Sequence, residues 1–500
     1  MKNTFTSINR VPRDVLSIIP EYWADEDTAD EDLITLTHVC RGWREIFISH
    51  PSLWTRLDCT NIEKTRTYIE RSRSSPLKVY VWQEEEYTPF LNDAFLLTLP
   101  HLSRFGSLSL LGPSKNLTEL AKKYLHHPVP LLKKLKINFS DNPQSIVPAI
   151  FEENISSLRE LRLSGVITRL PWKTLANLTT FDFRDVPSDK ISVTQLLDFF
   201  EHAPLLRHTR LWNALPTTCD APPGRVVSLP RLKDLDIKAQ PVHSILLNHL
   251  LVPSGTSLVL EFTFDGEKSP IPEYLPKNLK NLKNLSRITA INLSFDSELC
   301  LRLTGPSGGL YVLGGWTGTD SFLPIVNRRA LRSLNHFAIS ATERLTITAY
   351  HTTIPQKIES STYRTLLLMN ALRTLILADC LNVPFITALN PKKAPSGTLV
   401  CPALEEIVLY IKEKERSCID GLLEMVEGRS SSGTRLSTIT IVSPQEFVPA
   451  KDVLELRNHV SQVEYRLDDV VPPWDGIGLE NDQCCEGSWG YESDWGHESS

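Results

Sequence analysis

Apolar residues recur at helical spacing near the start of the chain. The stretch 11–23 reads VPRDVLSIIPEYW, and its apolar positions fall on one side of a helix. Pro12 suits the first helical turn, where a backbone N–H is not needed. Pro20 removes a hydrogen bond further along, so the pattern predicts a short helix that ends or kinks near Ile19.

A second helix is predicted after an acidic connection. Six of the nine residues at 24–32 are acidic, which is typical of a solvated loop. From Leu33 the helical period returns and predicts a helix to about Ile48, favoured by the carboxylates that precede it. The segment HPSLW at 50–54 is expected to turn the chain and return its leucine and tryptophan to the apolar cluster. The predicted buried stripe comprises Leu33, Leu36, Cys40, Trp43 and Phe47, with Val39 and Ile46 beside it.

The remaining body, residues 59–467, repeats a short apolar triplet of the form L-x-x-L-x-L. On the order of a dozen such triplets would arise by chance at this apolar content, so the pattern alone is weak. The triplets are Leu132/Leu135/Ile137, Leu158/Leu161/Leu163, Leu178/Phe181/Phe183, Leu232/Leu235/Ile237, Ile288/Ile291/Leu293, Leu334/Phe337/Ile339, Leu372/Leu375/Leu377, Leu404/Ile407/Leu409 and Leu436/Ile439/Ile441.

Three further features strengthen the repeat hypothesis. The triplets lie about 20 to 40 residues apart, which is the repeat length of leucine-rich arrays. Stretches between them, such as 193–202 and 363–369, have helical spacing. A proline that should set up an extended strand stands two residues before the triplet at Pro130, Pro204, Pro230 and Pro402. We therefore expect an α/β fold: an irregular leucine-rich-repeat-like solenoid with a parallel sheet.

Three segments do not fit the repeat. Residues 301–350 match worst, because GPSGGLYVLGGWTGTD at 305–320 is typical of a loop or a plain hairpin. This stretch lacks the G-K-[ST] of a phosphate-binding loop. The N-terminal residues 1–9 and the acidic tail 468–500 are predicted to be disordered, the tail because its composition buries little surface.

Composition and charge exclude several classes of partner. The 500 residues are too many for one ordinary core, and 41% hydrophobic with 22% charged residues is ordinary for a globular protein. The net charge of −6 arises in the tail, where residues 475–500 hold seven carboxylates and no lysine or arginine. The remainder is close to neutral. It lacks the basic excess that nucleic-acid binding uses, so no nucleic acid is expected as a partner.

The cysteines and the apolar runs do not indicate a secreted or membrane protein. The nine cysteines are scattered, and the adjacent pair Cys484 and Cys485 lacks the spacing of metal ligands. No disulfide framework, metal or cofactor is therefore predicted. No apolar run approaches a membrane span, and the N-terminus lacks the apolar core of a signal peptide. A cytoplasmic or nuclear location without a membrane partner is expected.

A search for catalytic motifs gives no candidate catalytic residue. The sequence has no G-x-S-x-G, H-E-x-x-H or G-x-G-x-x-G pattern. His126 and His127 are consecutive, so their side chains are expected to point apart. The chain is therefore not expected to be an enzyme, although catalytic residues that lie far apart in sequence would escape this search.

The N-terminal segments combine into a specific string. Its parts are Val11-Pro12, Val15-Leu16, Ile19, VCRGWR at 39–44 and PSLW at 51–54. This string resembles the F-box, a three-helix module that binds a Skp-type adaptor and, through it, a cullin. The sequence departs from the F-box pattern at Pro20, where an aromatic is usual, and in the acidic insert.

The resemblance implies the domain boundaries and the contact residues. Residues 10–58 would form the F-box and 59–467 the solenoid. Pro12, Leu16 and Ile19 are favoured as contacts, and Trp43 is favoured as core. The implied residues for adaptor binding are Val11, Pro12, Val15, Leu16, Ile19, Leu36, Val39, Cys40, Trp43, Leu53 and Trp54.

A second resemblance covers the C-terminal part of the body. The strings MNALRTLIL, FITALNP, CPALEEIVLY and HVSQVEYR lie within 363–466. This region resembles the C-terminal part of fungal F-box proteins of the mushroom type. The implied function is a substrate-recognition adaptor of a Skp-cullin-F-box ubiquitin ligase that holds an unidentified target protein.

An alternative function is an interaction scaffold whose N-terminal helices merely close the end of the solenoid, as terminal repeats require. Target contacts are sought among aromatic residues, which dominate protein interfaces. The candidates are Trp172, Trp212 and Trp316, and a buried core role is an equal alternative for each of them.

Overall fold

A computed structural model of the chain divides it into two compact units. The first comprises residues 1–262 with 273–284, and the second comprises 263–272 with 285–500. The predicted disordered ends and the predicted first helix, apart from Val15, lie outside the described residues. The structure describes residues 15, 30–82, 90–112, 114–125, 127–139, 145–147, 155–168, 174–238, 243–264, 275–276, 278–295, 298–316, 331–349, 359–379, 382–393, 398–411, 416–444 and 448–467.

The first unit begins with two short helices in place of the single helix predicted from Leu33 to Ile48. Helix α1 spans Asp30–Val39 and helix α2 spans Arg41–Ser49. They are separated at Cys40, whose backbone is extended with φ −161° and ψ 171°. The Arg44 side chain donates to the carbonyl of Thr37 at 2.9 Å and so ties the two helices together at this corner. A 3-10 turn, Pro51–Trp54, follows.

The first unit then builds a parallel sheet in sequence order. Each strand of this sheet pairs in parallel with the next one. The strands of this sheet are β1 Arg56–Leu57, β2 Leu77–Trp82, β3 Phe105–Gly112, β4 Lys134–Phe139, β6 Glu160–Ser164, β8 Thr180–Arg184, β9 His208–Trp212, β11 Asp234–Lys238 and β13 Ser257–Phe264. Two small parallel pairs accompany it: β5 Ser145–Val147 with β7 Val166–Thr168, and β10 Val227–Ser228 with β12 Leu250–Leu251. The apolar triplets predicted four strands of the larger sheet, β4, β6, β8 and β11.

A continuous column of buried side chains runs across this sheet. Its members are aligned by the strand register and are at most 2% exposed. They recur about 20 to 30 residues apart, as expected for one strand per repeat. The column comprises Leu57, Val79, Leu108, Leu135, Leu161, Phe181, Thr209, Leu235 and Leu258.

A tight turn leads into many of these strands. The N–H of Leu132 donates to the carbonyl of Val129 at 3.1 Å, and the N–H of Leu206 donates to that of Ala203 at 3.2 Å. Pro130 therefore stands at the second position of a turn, which its fixed φ suits. The prolines predicted to start strands act one step earlier, by shaping the turn before the strand.

A repeated hydrogen bond holds neighbouring strands in register. The carbonyl of Arg159 accepts the N–H groups of Thr179 and Thr180 at 2.8 and 3.0 Å. The carbonyl of Thr179 accepts those of Arg207 and His208 at the same two distances. The same pair of backbone hydrogen bonds therefore recurs between successive strands.

The second unit contains a second run of parallel strands, interrupted by a hairpin. Strands β15 and β16 pair antiparallel with each other, and β15 pairs antiparallel with β14, so a plain hairpin stands within the predicted irregular region. From β14 the parallel order continues through β17, β18, β19, β20 and β21. The strands are β14 Ala290–Phe295, β15 Glu298–Thr304, β16 Gly309–Trp316, β17 Arg344–Ala349, β18 Thr374–Asp379, β19 Glu406–Tyr410, β20 Thr438–Ser443 and β21 Gln462–Leu467.

One predicted triplet is wrong. Leu334, Phe337 and Ile339 lie before the strand, and Ile339 begins a 3-10 turn. The strand itself starts at Arg344, and Thr342 occupies the leading position. The buried Thr342 hydroxyl donates to the carbonyl of Ile288 at 3.3 Å, which allows a polar residue to stand where a leucine was sought.

Helices connect the strands in both units. The predicted helix at 193–202 is confirmed, and the one predicted at 363–369 begins earlier, at Glu359. In the second unit α8, α9, α10 and α11 pack against one another in sequence order. The helices are α3 Ile62–Ser72, α4 Phe90–Leu96, α5 Ser114–Tyr124, α6 Val193–His202, α7 His243–Leu247, α8 Glu359–Leu367, α9 Asn382–Leu389, α10 Arg416–Ser431 and α11 Ala450–His459. Further 3-10 turns are Leu99–Arg104, Leu279–Asn281, Lys283–Leu285, Ile339–Ala341 and Pro391–Lys393.

The architecture of each unit is therefore mixed α/β with a mostly parallel sheet, which confirms the predicted fold class at this level. No helix among the described residues has both the length and the apolar character that crossing a bilayer requires.

Candidate functional site

The N-terminal helices expose part of the surface predicted to bind an adaptor. Val39 on α1 is 50% exposed, and Val15 is a helical residue that is 49% exposed. Leu36, Cys40 and Trp43 are half-buried. The remaining predicted contacts of the first helix, which lie outside the described residues, are Val11, Pro12, Leu16 and Ile19.

The same helix exposes an apolar residue that the sequence analysis missed. Ile34 is 42% exposed, whereas its neighbour Leu33 is 6% exposed. A helix of ten residues that packs Leu33 and Thr37 inward must turn other positions outward, and Ile34 and Val39 are among these. The signal available in the sequence was the adjacency of two aliphatic residues, of which only one can belong to the buried stripe.

Leu53 and Trp54, predicted to contact the adaptor, are instead buried within the chain at 8% and 1% exposure. The Trp54 indole N–H donates to the carbonyl of Phe47 at 3.1 Å. Its ring meets Tyr68 of α3 edge-on at 5.0 Å, and the Arg71 guanidinium lies 4.3 Å from the ring centroid. These contacts join the N-terminal helices to the helix Ile62–Ser72, so a partner would not reach these two side chains.

Trp43, predicted as core, is only partly buried. Its ring stacks on Phe47 with centroids 5.6 Å apart. Its indole N–H is buried and has no hydrogen-bond acceptor among the described residues.

A second candidate surface lies on the sheet of the first unit, on the face opposite the buried column. We call it the Trp212 patch, and it comprises Asp182, Arg184, Arg210, Trp212, Asp236 and Lys238. The strand register places Arg184, Trp212 and Lys238 side by side, with the other three forming the adjacent row. This arrangement follows from the alternation of inward and outward side chains along three paired strands.

Cations surround the indole of Trp212. The guanidinium carbons of Arg184 and Arg210 lie 4.5 and 4.7 Å from its ring centroid, and the Lys238 ammonium nitrogen lies 5.4 Å away. Each contact is within the range of a cation–π interaction. Because Arg184 and Lys238 come from the strands on either side, the ring is held in place by both neighbours.

Ion pairs with Asp182 and Asp236 fix the positions of the two arginines beside the ring. Arg210 is 4% exposed and lies between two carboxylates, 3.0 Å from Asp236 and 3.8 Å from Asp182. Arg184 donates to both oxygens of Asp182 at 2.7 and 2.6 Å. Burial raises the pKa of Asp236, while the charge of Arg210 and its hydrogen bond to the carboxylate act against that shift.

The residue types of the patch are common at the centres of protein interfaces. Tryptophan and arginine dominate the energetic centres of protein interfaces. Among the described residues, no three histidine, cysteine or carboxylate side chains converge to hold a metal ion. Trp212 was predicted as a candidate contact, whereas its charged neighbours were missed because their meeting depends on strand register.

Two further aromatic residues were predicted as contacts. Trp316 ends strand β16, and Trp172 lies outside the described residues.

Comparison with known proteins identifies no relative. A scan against protein-family models gave no match, and a search of the curated proteins gave no significant match.

Proposed function

We propose that the chain is an F-box-type adaptor of a ubiquitin ligase. In this proposal the N-terminal helices bind a Skp-type adaptor, and the strand arrays form the leucine-rich-repeat-like body that holds a target protein. The reaction itself belongs to other subunits. The chain contributes by holding the target near them, which raises the effective concentration of the reacting groups.

The observation that carries the proposal is the exposure of apolar side chains in the F-box-like segment. Ile34 and Val39 lie on one helix, at 42% and 50% exposure, within the string that contains VCRGWR and PSLW. Exposed aliphatic side chains gain free energy when a partner covers them, at roughly 25 cal/mol per Å² of buried apolar area. The conjunction of this exposure with the motif favours a Skp-type adaptor as the partner.

The Trp212 patch supports the second half of the proposal. It presents an aromatic ring fixed between cations from neighbouring strands, so little side-chain freedom is lost when a partner binds. A target protein with an apolar or aromatic side chain would suit this surface, since the charges of Arg184, Arg210 and Lys238 are already paired with Asp182, Asp236 and Glu261.

The scaffold alternative is favoured by a different observation. Trp54 packs on Tyr68 and Arg71 of the first repeat, as the side chain of an end cap would. An end cap needs no external partner, so adaptor binding distinguishes the two functions.

Co-purification of the full chain with a Skp-type adaptor tests the proposal. We expect wild type to retain the adaptor, and Ile34→Glu/Val39→Glu and Leu16→Asp/Ile19→Asp to lose it. The matched control is Leu454→Glu, because Leu454 is also an exposed aliphatic residue on a helix, at 61% exposure. Equal recovery of the adaptor with wild type and the double variants, or no recovery with any protein, would contradict the adaptor function and leave the scaffold.

A further inference from the structure

A cysteine and a histidine meet in the first unit. The Cys219 sulfur lies 3.4 Å from Nε2 of His249, within hydrogen-bond range for sulfur. Cys219 is exposed in the connection that follows β9, whereas His249 is 8% exposed and directly precedes β12. A reagent in solution can therefore reach the sulfur, while the base beside it is shielded.

The hydrogen bonding of His249 determines which ring nitrogen faces the sulfur as a base. Nδ1 lies 2.7 Å from the backbone carbonyl oxygen of Arg225. A carbonyl can only accept a hydrogen bond, so Nδ1 must carry the proton. In the neutral ring Nε2 then has a free lone pair directed at Cys219, and it can accept the thiol proton.

Both residues are held by anchored backbone. The carboxylate of Asp220, next to Cys219, accepts the N–H of Thr194 at 3.0 Å at the start of α6. The carbonyl of His249 accepts the N–H of Val227 at 2.8 Å, within the small β10–β12 pair. The short distance between sulfur and imidazole is thus maintained by the fold on both sides.

The charges next to the pair are largely engaged with one another. The Arg225 guanidinium binds Asp198 at 2.6 Å and Glu201 at 3.0 Å, and these carboxylates raise the pKa of Arg225. Burial acts to raise the pKa of the Asp220 carboxyl, but hydrogen bonds from Thr194 and Ser192 lower it, so a negative charge stands next to Cys219. The sulfur has one further weak contact, with the Ala221 carbonyl at 4.0 Å. The His249 imidazole is therefore the base within hydrogen-bond range of the sulfur.

Other cysteines of the described chain differ in accessibility. Burial raises the pKa of the Cys59 and Cys401 thiols to about 12, so both remain protonated at neutral pH. Cys418 is also buried, and Cys40 and Cys300 are partly exposed. Access to solvent and a neighbouring base together favour the reaction of a cysteine, and Cys219 has both.

We propose that Cys219 is a site of reversible modification by small disulfides, with His249 as the base. Nε2 of His249 takes the thiol proton, and the thiolate attacks one sulfur of a disulfide such as glutathione disulfide. A new disulfide bond forms at Cys219 as the original one breaks, and the departing thiolate takes the proton back from the imidazolium. Cys219 is oxidised, the small disulfide is reduced to one thiol, and no further reagent is consumed.

The first test measures alkylation rates of individual cysteines in the full chain by mass spectrometry. With iodoacetamide at pH 6.5 we expect Cys219 to react about 10-fold faster than free N-acetylcysteine and faster than Cys40 or Cys300. Glutathione disulfide should form its mixed disulfide first at Cys219. The Cys219→Ser variant confirms the assignment of the labelled peptide. Equal rates at Cys219 and at N-acetylcysteine would overturn the proposal.

The matched variant is His249→Asn. The asparagine amide can still donate to the Arg225 carbonyl from the position of Nδ1, but it offers no base to the sulfur. We expect the rate at Cys219 to fall about 10-fold, while Cys59 and Cys401 stay unlabelled and so report an intact fold. An unchanged rate with those two cysteines protected would reject the role of His249. If Cys59 and Cys401 become labelled, the variant has lost its fold. The comparison of wild-type Cys219 with N-acetylcysteine then decides whether the proposal holds.

Discussion

At the scale of single residues, buried charges are stabilised in two different ways. Arg429 on α10 is fully buried and donates to the carbonyls of Val400 and Cys401 at 2.9 and 3.0 Å. Its pKa is lowered by burial, and its Nε has no acceptor among the described residues. Asp236 is compensated by the charge of Arg210 instead. Substitution of each side chain is therefore expected to change the stability of the fold in a different way.

Arg429→Ala should strongly destabilise the second unit. The substitution removes two hydrogen bonds to buried carbonyls and leaves a cavity, which together cost about 3 kcal/mol of unfolding free energy. Arg435→Ala is the matched control, because Arg435 is exposed and should change stability by less than about 0.5 kcal/mol. Urea unfolding of both variants checks this prediction. Equal losses would show that the buried guanidinium has no special role.

Asp236→Asn should change how stability depends on pH. The pKa of Asp236 is raised in the folded state, so the folded chain holds this proton more tightly than the unfolded chain. Wild type should therefore lose stability relative to the variant as pH rises from 3.8 through the raised folded-state value. Unfolding free energies of both proteins between about pH 3.5 and 7 measure the difference. A relative gain of wild type across that range would mean that Arg210 outweighs the effect of burial.

At the scale of elements, α6 has the best-defined start among the helices described. The Ser192 hydroxyl accepts the N–H of Gln195 at 3.1 Å, and the Gln195 side chain accepts the N–H of Ser192 at 3.0 Å. Asp220 satisfies a third N–H from the loop that carries Cys219. The start of helix α6 is therefore hydrogen-bonded to the loop that carries Cys219.

Ser192→Ala should lower the unfolding free energy by about 1 kcal/mol, as the loss of an N-terminal cap does. Ser74→Ala, at an exposed serine of the same unit, serves as the control and should have little effect. Thermal unfolding of the two variants compares them directly. A loss as large in the Ser74 variant as in the Ser192 variant would rule out a capping effect.

Several elements could be predicted from the sequence because their burial follows a simple period. Leu135 and Leu161 lead strands that pair in register, as their triplets indicated. Strand β9 was missed because Thr209 takes the place of an aliphatic residue in the column. The helix break falls at Cys40, which is neither proline nor glycine, and the Arg44 side chain bonds to the Thr37 carbonyl across the corner.

At the scale of the whole molecule, the fold class could be predicted while the sites could be predicted only in part. Parallel strands in sequence order follow from repeated short apolar segments, which need no knowledge of distant contacts. The Trp212 patch needs the register of three strands, and the Cys219–His249 pair joins residues 30 positions apart. Contacts of this kind arise from tertiary packing, so no local sequence pattern indicates them. The N-terminal motif is local, which is why it supplied the functional hypothesis.

Hydrogen exchange of the full chain, with and without a purified Skp-type adaptor, tests the central claim most directly. The account predicts slowed exchange in peptides from 30–54 when the adaptor is added, and unchanged exchange in strands β6 to β11. The Ile34→Glu/Val39→Glu variant should show no such protection. Unchanged exchange at 30–54 in wild type at saturating adaptor, or protection confined to the strands, would contradict the account.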